Sequence, residues 1–228
     1  MGYLENGKWI DKWYDTKNSK GAFKRESSQF RNSISTTHSH FKPEKNRYHL
    51  YVSHACPWAH RTLVFRKLKQ LEDIISVSVV HPLMKENGWV FSKDYPDHLF
   101  NKDYLYEIYS LAKNDYIGRV TVPILFDKQT SKIVNNESAE IIRIFNSEFN
   151  ELTGNKLDFY PDHLQNEIND INEKIYHNVN NGVYKCGFST EQSIYEEALK
   201  NLFDCLDSLE DRLSNTDFLV GNQITEAD

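Results

Sequence analysis

Hydrophobic and polar residues follow three different patterns along this chain of 228 residues. Up to about residue 43, neither the period of a helix nor that of a strand is sustained. Single aromatic residues stand among polar ones instead: Trp9, Trp13, Phe23, Phe30 and Phe41. We therefore predict an extended arm on the surface for residues 1–43.

Between residues 44 and 150 the pattern alternates between strand and helix. Residues 48–52 and 74–80 are short apolar runs typical of buried strands, and apolar residues recur between them every three or four positions. This predicts a parallel βαβ unit. A helix over residues 104–112, a hairpin of strands at 122–126 and 133–134, and a helix after Glu137 are predicted next. The order βαβ, α, ββα is that of a thioredoxin-like domain, which we assign to residues 44–150.

After residue 150 only the helical pattern remains. Two amphipathic helices are predicted by these apolar rows: Leu164, Ile168, Ile171, Ile175 and Val179, then Ala198, Leu202, Cys205 and Leu209. Residues 151–228 are thus expected to form part of a second, helical domain. Ile224, Thr225 and Asp228 at the C-terminus have the spacing of a helix start. Because no residues follow, we expect a truncated chain or one part of a longer protein.

Composition narrows the classes of partner. The formal net charge is −6 and the basic residues are scattered, so a nucleic-acid partner is not expected. The sequence contains no stretch of about 18 apolar residues, the length that could span a membrane. The N-terminus also lacks the apolar core of a secretion signal. We expect a cytoplasmic protein without a membrane partner. Its three cysteines, an odd number, do not form a disulfide framework.

Cys56 is the residue best placed for chemistry. It lies between a predicted strand and a predicted helix, whose free N–H groups and partial positive charge favour a thiolate. Such cysteines have pKa values lowered from about 8.5 to roughly 3.5–7.5. Ala59 stands where a dithiol motif has its second cysteine, so an external thiol such as glutathione must release the product. The simpler interpretation is a cysteine packed under a helix cap.

For the other candidate residues, a purely structural role explains the sequence as well as a functional role does. Pro123 before a strand is an edge proline by sequence alone, but in thioredoxin-like folds the corresponding proline is cis and faces the cysteine. Glu137 and Ser138 either cap a helix or receive the γ-glutamyl carboxylate of glutathione at its N-terminus.

The remaining histidines and cysteines give no second site. His54 and His60 flank Cys56, but a convincing fourth ligand at zinc-site spacing is missing, so no metal is expected. Cys205 is expected in the core of its helix, and the role of Cys186 is left open.

The motif from Cys56 to Arg61, CPWAHR, resembles that of the glutathionyl-hydroquinone reductases, also called xi-class glutathione transferases, which are related to the omega class. The resemblance extends over nearly the whole chain from Gly21 onward. It includes Gly21–Arg25 with Phe30 and Arg31, Gly88 with Trp89, residues 118–123, 136–140 and 180–185. It implies a thioredoxin-like domain followed by an all-helical glutathione transferase C-terminal domain, which is incomplete here because family members continue into further helices.

The resemblance also implies a reaction and roles. Cys56 would take glutathione from a glutathionyl-hydroquinone, and a second glutathione would resolve the mixed disulfide. The resemblance implies that Trp89 and Arg119 hold glutathione and that Val122 pairs with its cysteinyl backbone. It also implies that Glu137 and Ser138 bind the γ-glutamyl end and that Tyr184 faces the hydroquinone ring. Without the family, Trp89 is a loop aromatic, Arg119 a solvated charge and Tyr184 a buried tyrosine.

Two alternatives remain at this level. The first is an omega-like reductase of dehydroascorbate or of protein mixed disulfides, which would use the same Cys56. The second is a truncated glutathione-binding module without activity. The family forms homodimers, and the missing helices take part in that interface, so the assembly of this chain is left open.

Overall fold

The computed structural model describes residues 2–228. The chain divides into two compact units. The first contains the residues up to Trp13 together with Ser27–Leu157, and the second contains Tyr14–Glu26 with Asp158–Asp228. The segment predicted as one arm therefore contributes residues to both units, and the domain boundaries at residues 43 and 150 stay predictions.

A mixed sheet of four strands forms the centre of the first unit. The unit's elements are β1 (Tyr3–Glu5), β2 (Lys8–Ile10), β3 (Tyr48–Val52), α1 (Pro57–Leu68), β4 (Ser76–Val79), α2 (Leu105–Ala112), β5 (Gly118–Arg119), β6 (Ile124–Asp127), β7 (Lys132–Asn135), α3 (Ser138–Ser147) and α4 (Asn150–Thr153). The sheet has the order β4-β3-β6-β7, with β3 and β4 parallel and the other pairs antiparallel. This is the predicted thioredoxin-like arrangement.

Burial explains why the central strands β3 and β6 are mostly apolar. Every residue of β3 and of β6 is buried, because the sheet is covered on both faces. Helices α1 and α3 pack against each other. The predicted strands and helices of residues 48–147 are confirmed, with ends that differ by a few residues.

The prediction missed a β-hairpin near the N-terminus. Strands β1 and β2 pair antiparallel through a turn at Asn6 and Gly7, and β1 also pairs with β5. Both turn residues have positive φ, 52° and 75°, as the tight turns of hairpins require. Asn-Gly is a strong hairpin signal, but the strands of three residues on either side are too short to show a period. Leu4, which points inward from β1, is fully buried.

A buried ion pair joins the start of β3 to the end of β6. The Arg47 guanidinium donates from Nε and Nη2 to the two carboxylate oxygens of Asp127, both at 2.8 Å. The side chains are 5% and 0% exposed. Burial acts to raise the pKa of Asp127, but the hydrogen bonds from Arg47 and Thr130 outweigh it and hold that pKa below its ordinary value.

We predict that Asp127→Ala destabilises the protein by about 3–5 kcal/mol, because the buried Arg47 guanidinium would lose its buried partner and keep only the more exposed carboxylate of Glu44. Urea unfolding followed by circular dichroism measures the change. Glu44→Ala is the matched control, since Glu44 pairs with the same guanidinium but its side chain is 43% exposed; it should cost less than about 1 kcal/mol. Equal losses of the free energy of unfolding in the two variants would contradict the prediction that the buried partner of Arg47 contributes more than the exposed one.

His49 is a second buried polar residue of β3. Its ring nitrogens lie 2.7 Å from Ser76 Oγ and 2.9 Å from Ser78 Oγ, both on β4. Burial lowers the pKa of His49 to about 3. The imidazole is therefore neutral in the folded protein at ordinary pH, while in the unfolded chain it binds a proton below about pH 6.5.

Because the unfolded state binds this extra proton, we predict that the free energy of unfolding falls as the pH drops from about 6.5 towards 3. The contribution of His49 approaches about 1.4 kcal/mol per pH unit. Urea titrations between pH 7 and 4 should show a shallower dependence for His49→Asn than for the wild type. His60→Asn, at an exposed position of α1, should keep the wild-type slope; the same slope in all three proteins would refute the assignment.

The second unit is helical apart from its connecting segments. Its elements are two 3₁₀ turns (Lys17–Ser19 and Asp162–Leu164), α5 (Gln165–Ile175), a π-helical turn (Tyr176–Asn180), α6 (Gly182–Phe188) and α7 (Gln192–Leu213). One core cluster joins α5 to the segment after α7: Leu164, Ile168, Ile171, Leu219 and Val220. The apolar rows of α5 and α7 are confirmed, and Cys205 is buried in the core as expected. No helix among residues 2–228 is long and apolar enough to cross a membrane.

Thr225 and Asp228 make one of the two hydrogen bonds of a capping box, the one from the backbone N–H of Thr225 to the Asp228 carboxylate. The Asp228 carboxylate accepts the backbone N–H of Thr225 at 2.8 Å, and Thr225 Oγ1 accepts the N–H of Ala227 at 3.3 Å. A second oxygen of Asp228 accepts the N–H of Leu219 at 2.7 Å. The predicted capping residues thus interact as the spacing indicated.

Candidate functional site

Cys56 is the N-cap of α1. Its φ and ψ of −107° and 114° are extended, and Pro57 follows at the first helical position, where a missing N–H costs nothing. The Cys56 carbonyl already accepts the N–H of His60 at 2.9 Å. The residue is partly exposed, whereas Ala59 on the next turn is fully buried. The predicted position of the sulfur at a helix N-terminus is confirmed.

The Cys56 sulfur faces the segment before β6. Its Sγ lies 3.7 Å from the carbonyl oxygen of Val122, and the peptide bond between Val122 and Pro123 is cis. Antiparallel pairing of β3 with β6, with Tyr51 opposite Ile124, brings these two loops together. The structure therefore brings together Cys56, Val122 and Pro123, as the sequence predicted.

Glu137 and Ser138 lie at the start of α3. Glu137 is the N-cap, and its Oε1 accepts the N–H of Ala139 at 3.4 Å. Its Oε2 accepts a hydrogen bond of 3.0 Å from the hydroxyl of Ser28. Ser138 Oγ accepts two hydrogen bonds from Arg61 of α1, from Nε at 3.0 Å and from Nη2 at 2.7 Å. The capping role of Glu137 is confirmed, and α1 is joined to α3 by side chains.

Trp89 follows a tight loop that the N-terminal hairpin covers. The Trp9 indole Nε1 donates to the carbonyl of Glu86 at 3.0 Å. A Cβ added to Gly88, whose φ is +66°, would lie 2.5 Å from the Trp9 ring. Only glycine suits this conformation and this close approach. The Trp9 ring also stacks on Tyr106 with centroids 4.9 Å apart.

Arg119 is buried and turned towards the N-terminal segment. Its Nη1 donates to the carbonyl of Lys12 and its Nη2 donates to the carbonyl of Trp13 at 3.0 Å. Its guanidinium lies 5.5 Å from the centre of the Tyr3 ring. The simpler reading of Arg119 as a solvated loop charge is wrong, since the residue is only 8% exposed.

Tyr184, predicted to face a substrate ring, belongs to the second unit. The Arg25 guanidinium lies 4.7 Å from the centre of the Tyr184 ring. Arg25 also donates from Nε to Asn181 Oδ1 at 2.6 Å. Phe23 and Phe188 complete this aromatic cluster. Tyr184 is partly exposed, so the simpler interpretation of Tyr184 as a buried tyrosine is wrong.

Comparison with known proteins decides the family. The glutathione S-transferase N-terminal domain matches residues 55–148. Glutathionyl-hydroquinone reductase YqjG of Escherichia coli (strain K12) is 52% identical, over all of this chain and 73% of its own length. The chain belongs to the glutathionyl-hydroquinone reductases, the xi-class glutathione transferases.

Solved structures agree with this assignment. The xi-class glutathione transferase of Natrialba magadii has 45% identity and a TM-score of 0.91, covering all of this chain and 70% of that one. The glutathione-bound structure of the Escherichia coli YqjG has 51% identity and a TM-score of 0.85, over 87% of this chain and 68% of that one.

Three residues that contact the predicted site residues or their loops were not predicted from the sequence. Arg61 was given no role, although it lies in the CPWAHR motif. Ser28 and Trp9 come from the segment predicted as an arm, and nothing in their local pattern indicates long-range partners.

Cys186 is partly exposed, and burial raises the pKa of its thiol. Among residues 2–228 no group of three or more His, Cys, Asp or Glu side chains could hold a metal.

We predict that Trp9→Ala loosens the loop that carries Gly88 and Trp89. The lost stack and hydrogen bond are worth about 1 kcal/mol, which would raise the open population of the loop about fivefold. Limited trypsin digestion at Lys85 measures this opening. Trp13→Ala is the matched control, because the Trp13 ring is 52% exposed and its carbonyl is kept. Unchanged cleavage of Trp9→Ala would contradict the prediction.

Proposed function

We propose that this chain reduces glutathionyl-hydroquinones with glutathione, through a mixed disulfide on Cys56. The single observation that carries the proposal is the position of the Cys56 sulfur. Cys56 is the N-cap residue of α1 and is partly exposed, and its Sγ lies 3.7 Å from the Val122 carbonyl oxygen before a cis proline. A helix N-terminus favours the thiolate that such chemistry needs.

The reaction balances with one molecule of free glutathione for each glutathionyl-hydroquinone. In the first step the Cys56 thiolate attacks the sulfur of the thioether, an S–S bond forms, and the C–S bond to the ring breaks. The ring carbon takes a proton and leaves as the free hydroquinone. In the second step a glutathione thiolate attacks the mixed disulfide, so glutathione disulfide leaves and Cys56 returns to the thiolate. Ala59 in place of a second cysteine supports the use of an external thiol.

We assign the ends of glutathione to different elements of the first unit. Glu137 is a carboxylate suited to the γ-glutamyl ammonium, and Ser138 at the N-terminus of α3 is suited to the neighbouring carboxylate. The Val122 backbone would pair with the cysteinyl residue beside Pro123, and Trp89 would cover the ligand.

For Arg119 we propose an indirect contribution to glutathione binding as well as any direct one, because its guanidinium bonds the carbonyls of Lys12 and Trp13. Tyr184 is proposed to contact the hydroquinone ring. The homodimer expected for complete family members and the location in the cytosol stay predictions.

We predict that Cys56→Ser loses glutathione-dependent reduction of a glutathionyl-hydroquinone by about a thousandfold or more, since removal of a nucleophile removes the covalent route. Release of free hydroquinone, followed by chromatography, measures it. Cys186→Ser is the matched control, because Cys186 is also a partly exposed free thiol, and it should keep activity. Retention of most activity by Cys56→Ser would refute the assigned nucleophile.

The same preparations separate the competing functions. Turnover of dehydroascorbate or of a protein–glutathione mixed disulfide, without release of hydroquinone, would favour the omega-like reductases. Binding of glutathione without turnover of any of these compounds would favour a binding module.

A further inference from the structure

Arg61 of α1 makes hydrogen bonds that end on a proposed ligand-binding residue of α3. Its Nε and Nη2 both donate to Ser138 Oγ, at 3.0 and 2.7 Å. Its Nη2 also lies 3.9 Å from Glu137 Oε1, and the two side chains are 30% and 21% exposed. Arg61 thus contacts both the N-cap residue of α3 and the first residue of that helix.

The number of hydrogen bonds that Ser138 Oγ accepts determines whether its hydroxyl is left as a donor or as an acceptor. A serine hydroxyl can accept two hydrogen bonds and donate one. Within residues 2–228, the bonds of Ser138 Oγ are the two that it accepts from Arg61. Both acceptor positions are therefore filled, and the O–H remains as a donor. Ser138 is 2% exposed, so water has little access to this donor, and leaving it unbonded costs free energy.

The charges around Ser138 favour an anion as the acceptor. The guanidinium of Arg61 is cationic, and the N-terminus of α3 adds a partial positive charge. Donation from a cation to the hydroxyl oxygen also strengthens the hydroxyl as a donor, because hydrogen bonds in a chain polarise one another. Glu137 beside it carries the opposite charge. An α-amino acid group, with its carboxylate and its ammonium, matches this pair of neighbours.

The spacing along α1 relates this pair to the reactive sulfur. Arg61 follows Cys56 by five positions, which is about 7.5 Å along a helix axis. Two extended residues span about 7 Å. One ligand can therefore hold a thiol at Cys56 and an amino acid end at Ser138, as a γ-glutamyl-cysteinyl compound does.

We propose that Arg61 is a positioning residue that presets Ser138 as a hydrogen-bond donor to the γ-glutamyl carboxylate of glutathione. The proposal rests on the proposed function and deepens it. Arg61 acts through Ser138 and takes no part in the transfer of sulfur. Its loss should weaken recognition of that carboxylate and leave the chemistry at Cys56 intact.

The test is a set of binding measurements by calorimetry. The proteins are the wild type, Arg61→Met, Ser138→Ala and the double variant, and the ligands are S-methylglutathione and its analogue with the γ-glutamyl α-carboxylate amidated. The S-methyl group prevents disulfide formation. We expect Arg61→Met and Ser138→Ala each to weaken binding of the carboxylate ligand about tenfold, and the double variant to lose hardly more than either. The amidated ligand should bind all four proteins with similar, weak affinity.

Two further variants keep the test specific. Lys67→Met removes one positive charge from the same helix at a side chain that is 80% exposed, and it should bind both ligands like the wild type. Arg61→Lys keeps the charge but not the two-pronged donor geometry, so we expect it to bind the carboxylate ligand less well than the wild type. If Arg61→Lys bound the carboxylate ligand as tightly as the wild type, the proposal that Arg61 presets the Ser138 hydroxyl would be overturned.

The remaining outcomes separate this inference from the proposed function. Unchanged affinity in folded Arg61→Met, or equal weakening for both ligands, would overturn the role of Arg61 while leaving the Cys56 assay untouched. Additive losses in the double variant would show that Arg61 and Ser138 act independently, which also overturns the proposal. Absence of binding by the wild type to either ligand would overturn both. In turnover assays, Arg61→Met should raise the KM for glutathione about tenfold with little change in kcat.

Discussion

The antiparallel pairing of β3 with β6 determines where the Cys56 sulfur lies. Tyr48 pairs with Asp127 at one end of the two strands, and Tyr51 pairs with Ile124 at the other. The chain continues from β3 into Cys56 and enters β6 from Val122, so these residues meet beyond the same end. A slip of one residue in this register would turn every side chain of β3 to the other face. The position of the Cys56 sulfur depends on that register.

Buried polar groups support the register from the opposite end. The pair of Arg47 and Asp127 is bidentate and almost without solvent contact, and such a pair has lost its hydration in exchange for one specific geometry. The bonds of His49 to two serines of β4 act similarly across the parallel pair. The same strands therefore carry polar contacts that specify their alignment and apolar surface that stabilises it.

Parts of the N-terminal segment belong to the first unit and make specific contacts within it. Trp9 covers Gly88, and the carbonyls of Lys12 and Trp13 are bonded by Arg119. Ser28 bonds the cap of α3. A sequence without a period was interpreted as an arm because its strands are three residues long, and its contacts join residues about 80 to 110 positions apart. Neither feature leaves a mark on the local pattern of apolar residues.

The sequence by itself determined the order of strands and helices in the sheet domain, the helical character of the later residues, and the place of Cys56 at the start of α1. Those features follow from local rules, because the spacing of apolar residues and the chemistry of caps act over a few positions. Only the tertiary structure decided which side chains meet Ser138, where Arg119 points and what the hairpin covers. These contacts depend on strand register and helix packing, which bring together residues that are far apart in the sequence. Neither residue type nor local spacing indicates which distant residue will be the partner.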